Sequence, residues 1–164
     1  MTTQAVALQE NPTDYTDKME RIKHLLNQET EGLSSLLEAL DKEKDILLKG
    51  QHQDLMANSE HKLEICQQLE SIQKARQELV LNMVIAGEPI VKLSQLAPLL
   101  QAEQRDAFRE QLIKADNLSK QLHERNQLNR AFINEALDSI GHVLSIISNQ
   151  HNASGYNEIG RAHV

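Results

Sequence analysis

The chain has 164 residues, a formal net charge of −7 and 2% aromatic residues, with two Tyr, two Phe and no Trp, so Leu and Ile must supply any core. Gly and Pro are scarce beside Gln, Glu, Leu, Lys and Ala, a balance that favours long helices over strands. Acidic and basic residues are interspersed throughout, which excludes the concentrated basic face that phosphate binding needs, and the longest apolar run, Leu79 to Ala86, is interrupted by Asn82 and too short to span a bilayer.

Residues 1–14 carry no sustained period and read as a flexible N-terminal extension. The opening MTTQAVALQENPTDYTDK has no basic region followed by an apolar one, so no signal peptide is expected. The single cysteine, Cys66, cannot form an intramolecular disulfide and reads as a small buried residue of a cytoplasmic protein. Breakers at Gly50, Gly87, Pro89 and Pro98 divide residues 15–148 into three helices, predicted over Tyr15–Lys49, Asp54–Ala86 and Glu103–Ser148, with a helical turn between Lys92 and Gln101. Residues 149–164, rich in Asn, Gly, Ser and His, read as a flexible tail. The predicted fold is all-α: an antiparallel hairpin of long helices plus a third long helix, a coiled-coil-like three-helix bundle.

Steps of four and three pick out an apolar seam on each helix. The first runs Ile22, Leu26, Glu29, Leu33, Leu36, Leu40, Glu43, Leu47, and the second Lys62, Ile65, Leu69, Ile72, Arg76, Leu79, Met83. If the two fold back at Gly50, facing residues have numbers with a constant sum. A sum of 105 pairs Glu29 with Arg76 and Glu43 with Lys62, and it also matches the apolar positions to one another. Partly buried charge pairs of this kind specify alignment more than they stabilise, so these four residues read as a registration device.

The third seam runs from Phe108 through Leu112, Ala115, Ser119 and Leu122 to Asn126, Asn129, Ile133, Ala136, Ile140, Val143 and Ile147. Its two amides need partners if buried, and the Glu29 and Arg76 layer is the expected place to find them. At ~1.5 Å per residue the third helix is about 70 Å long against about 50 Å for a hairpin arm, so part of it overhangs. A C-terminal overhang leaves Ile140, Val143, Leu144, Ile146 and Ile147 as an exposed stripe able to hold a partner helix, with Ile159 ordering over it from the tail. The competing occupants are a second copy, giving a homodimer, and the segment from Pro89 to Leu100. No His lies three residues after a Glu, and no His-x-x-x-His, Cys-x-x-Cys, phosphate-loop or nucleophile-elbow spacing occurs, so neither enzyme activity nor a metal or other cofactor is expected.

The block LLNQETEGLSSLLEALDKEKDILLKGQHQDLMANSEHKLEICQQLESIQKAR is similar to the N-terminal pattern of the FlgN family of flagellar export chaperones, through its leucine pairs, Glu29, Glu43, Lys62 and Arg76. LHERNQLNRAFI resembles the family's N-x-x-N signature through Asn126 and Asn129, and YNEIGR resembles its Y-x-x-x-G ending through Tyr156 and Gly160. The resemblance implies a cytoplasmic chaperone for the C-terminal segments of the hook–filament junction proteins FlgK and FlgL, one that prevents premature assembly and delivers them to the export gate protein FlhA without ATP. It implies substrate capture after the third seam and a gate contact at Tyr156; it does not cover the N-terminal extension. The alternative is a structural coiled-coil adaptor that self-associates.

Overall fold

A computed structural model describes residues 12–161 except Asn82 and Ala86, with side chains described within 15–149. The extension before Pro12 and the side chains of Tyr156 and Ile159 lie outside that description. Three long helices carry the chain: α1 (Pro12–Lys49), α2 (Gln53–Leu81) and α3 (Ala102–Arg161). Between α2 and α3 come a two-stranded antiparallel ribbon, β1 (Val84–Ile85) with β2 (Glu88–Pro89), and a 3-10 helix (Leu93–Leu99). The protein is therefore all-α apart from that ribbon, with the hairpin and third long helix expected from the seams.

Local chemistry explains the boundaries. α1 starts at Pro12, earlier than Tyr15, because proline's fixed φ suits the first helical position, where no N–H is needed. It stops at a Schellman cap in which Gly50 adopts φ +69 and the Gln51 N–H donates to the Ile46 carbonyl at 3.1 Å. The second helix ends at Leu81, short of the predicted Ala86, because Val84 and Ile85 enter the ribbon, whose turn places Gly87 at φ +82. The 3-10 helix occupies the predicted turn, and the Gln95 side-chain oxygen accepts from the N–H groups of Val91 and Lys92 at 2.7 and 2.8 Å. α3 runs on through Arg161 and does not end at Ser148: residues 149–161 hold Gly155 and Gly160 but no proline, and isolated glycines weaken a helix without ending it.

α1 is the central rod. It packs along both α2 and α3, and among the described residues no comparably long contact joins α2 to α3. Two apolar clusters result. Met19, Ile22, Leu26, Met83, Leu96, Ala97, Leu100 and Phe108 close the end away from the hairpin turn, and Leu33, Ala39, Leu40, Ile65, Leu69 and Leu122 fill the middle. Polar layers separate and bound them.

The charge pairs form where the sequence register puts them, although the helices face each other about one turn lower. Gly32 meets Leu69, a pair whose numbers add to 101; a Cβ on Gly32 would sit 2.7 Å from Leu69 Cδ2. Helical side chains tilt toward their own N-terminus. Arg76 and Lys62 therefore lean up α2 toward the hairpin turn and meet glutamates one turn further along α1.

Leaving α2 and α3 apart has a further consequence. A groove of about 450 Å³ opens between them, floored by Leu36 and Leu40 and walled by Lys62, Leu63, Cys66, Leu122, His123 and Asn126. Cys66 is exposed, contrary to the buried residue expected, and so are Ser119 and Asn126, which a closed bundle would have covered with α2.

Candidate docking surface

Positioning begins with the two polar layers on α1. In the first, Arg76 Nε donates to Glu29 Oε2 at 2.8 Å and Arg76 Nη2 to Glu29 Oε1 at 3.2 Å, while Gln73 Nε2 donates to Glu29 Oε1 at 3.0 Å. In the second, Lys62 Nζ pairs with Glu43 Oε2, and Asn129 Nδ2 donates to Glu43 Oε1 at 3.0 Å and to the Leu40 carbonyl at 2.9 Å. Asn129 thus finds its partners in the Glu43 layer, not at Glu29 and Arg76 as expected, because α3 meets α1 a full four turns nearer the hairpin end. The other amide of the pair, Asn126, is on the open groove and makes no part of this layer.

Asn58 joins the same level from α2, donating through Nδ2 to the Ala39 carbonyl at 3.0 Å. Two amides, one from α2 and one from α3, therefore hold consecutive carbonyls of α1. Sequence reasoning missed Asn58, although stepping the second seam back four residues from Lys62 reaches it. Both amides are buried, and the Oδ1 atom of each lacks a hydrogen-bond partner. The Glu43 layer fixes α3 axially, since sliding it would strand the buried Asn129 amide and leave Glu43 with Lys62 alone.

That alignment sets what is left uncovered. Asn129 lies opposite Leu40 at an offset of 89, and Phe108 packs in the same cluster as Met19 at the same offset. Carried to Lys49, where α1 ends, the offset reaches Asp138. Beyond it α3 continues to Arg161 as a single rod, roughly 35 Å at ~1.5 Å per residue. Leu137, Ile140, Val143, Leu144, Ile146 and Ile147 are accordingly exposed, Ile140 at 56% and Leu144 at 60%. At 100° per residue, Ala136, Ile140, Val143, Leu144 and Ile147 prolong the face that buries Leu122 and Asn129 and half-buries Ile133. Ile146 lies on its flank, and Glu135, Asp138, His142, Ser145 and Asn149 occupy the opposite side. The segment from Pro89 to Leu100 does not cover this stripe; its Leu96, Ala97 and Leu100 pack at the far end of the molecule.

At the root of the stripe, a notch of about 310 Å³ is lined by Leu47, Leu48 and His52 from the hairpin end and by Phe132, Glu135, Ala136 and Ser139 from α3. Leu48 is 61% exposed there. Its place beside the seam at the end of α1 was the signal available in the sequence. The arrangement can hold an apolar helix face along the overhang and against the hairpin end. Among the described residues there is no cluster of three or more His, Cys, Asp or Glu able to hold a metal ion, and no helix long and apolar enough to cross a membrane.

Searches of curated proteins and of solved structures found no match. A family model described as FlgN protein matches residues 19–163. With both polar layers, the N-x-x-N pair and the bare helix end inside that match, the chain belongs to the FlgN family of flagellar export chaperones.

Proposed function

We propose that this chain is a cytoplasmic flagellar type III export chaperone that binds the C-terminal segments of the junction proteins FlgK and FlgL, keeps them from assembling early and hands them to the export gate protein FlhA. The observation that carries this reading is the exposed stripe Ile140, Val143, Leu144 and Ile147, a direct prolongation of a face already used to bind a helix. Ile146 would flank the captured segment, Ile159 would close over it once the last turns of α3 unwind, and Tyr156 would make the gate contact.

Stripe residues half exposed in the free chain offer limited area, which suits a complex that must later be released. Calorimetric titration of the full chain with each junction-protein C-terminal segment tests this. One-to-one binding supports the reading. A chain that binds neither segment and forms a stable dimer instead is the self-associating adaptor.

A further inference from the structure

Inside the bundle, apolar clusters alternate with polar layers: Glu29 with Gln73 and Arg76, then Glu43 with Lys62, Asn58 and Asn129. The stripe on the overhang has none. From Ile133 through Ala136, Ile140, Val143, Leu144 and Ile147 every residue on that face is aliphatic, and the polar side chains of 135–149 lie on its flanks or behind it. Between Ile133 and Asn149 the stripe also carries no Phe, Tyr or Trp, Phe132 at its root being the last Phe of the chain. A seam with a buried polar residue admits one alignment of its partner, because any other strands that residue against apolar atoms; a purely aliphatic seam imposes no such cost.

We infer that the overhang is a register-permissive site, one that recognises a class of partner: an amphipathic helix of another chain with Leu or Ile at heptad spacing, whatever its other residues. This rests on the docking reading above. Continuity with the α1–α3 interface identifies the occupant as a helix. A shift of the guest by one heptad, about 10 Å, restores the same apolar contacts except at the ends. The hairpin end at Leu47 and Leu48 limits movement toward the bundle.

The test uses three synthetic helical peptides of about three heptads, a length at which such helices need a partner surface to be stable. One carries Leu at all seam positions, the second the same seam with its outer residues permuted, and the third a single Asn at the central seam position. On the native chain the first two bind within about threefold of each other and the third about tenfold more weakly. On Ile140→Asn the preference inverts: the all-Leu peptides weaken and the Asn peptide recovers. Ile140 is 56% exposed, so the thermal melt of this variant should match the native one and serves as the folding control. A more than tenfold difference between the first two peptides, or no change of preference on Ile140→Asn, overturns the inference. So does failure of all three where junction-protein segments still bind, whereas failure of every ligand overturns the docking reading itself.

Discussion

Replacing Arg76 with Met should be among the most damaging single changes outside the apolar clusters. The Glu29 side chain is 8% exposed and that of Arg76 16%, so the carboxylate has little water to fall back on. Without the guanidinium it keeps a single hydrogen bond, from Gln73 at 3.0 Å. Breaking a buried pair by removing one partner costs about 3–5 kcal/mol. At roughly 2–4 °C per kcal/mol for a chain of this size, the melting temperature should fall by about 6–20 °C. Glu29→Leu combined with Arg76→Met replaces the layer with apolar contacts and should recover most of the loss, because a buried ion pair is nearly neutral against a packed hydrophobic replacement. Urea melts followed by circular dichroism, run on both singles and the double, give the coupling energy directly. A double whose loss equals the sum of the singles, or an Arg76→Met variant within about 1 kcal/mol of native, would refute the reasoning.

The two asparagines of the N-x-x-N pair should behave oppositely. Asn129→Ala loses hydrogen bonds to Leu40 and Glu43 and should cost about 2 kcal/mol, while exposed Asn126→Ala should stay within about 0.5 kcal/mol, both read from denaturant midpoints. Two helix glycines should also separate. Gly141→Ala meets open space and should stabilise its helix by about 1 kcal/mol of propensity, visible as added ellipticity at 222 nm. Gly32→Ala should forfeit that gain against buried Leu69, and an equal melting shift for both would contradict the close approach of α1 and α2.

Much of this architecture is legible in heptad spacing because long helices put every third or fourth residue on one face. Glu29, Glu43, Lys62 and Arg76 stood out as polar intruders in apolar seams, and matching acid to base revealed the hairpin. Periodicity misled where the helices do not close into a triangle. Ser119, Asn126 and Cys66 each occupy a flank that a closed bundle would bury and this one leaves open. The one-turn difference in register reflects side-chain tilt, which residue numbers do not carry. Asn129's partners could not be read either, since the axial placement of α3 depends on the ribbon and 3-10 helix that precede it. The overhang was visible from helix lengths alone; its notch at Leu47, Leu48 and Phe132 needed the hairpin end to be placed beside α3.

Hydrogen exchange on the full chain, free and with a FlgK C-terminal segment, tests most directly whether the bare end of α3 is where cargo docks. In the free protein the amides from Ser139 to Asn149 should exchange fast, as an unsupported helix does, while those of Leu33 to Leu40 are protected by packing. Bound cargo should slow exchange from Leu137 to Ser148 by at least about tenfold and leave α2 unchanged. Protection appearing instead along the groove of Leu63, Cys66 and His123, with the α3 end still exchanging freely, would contradict the assignment.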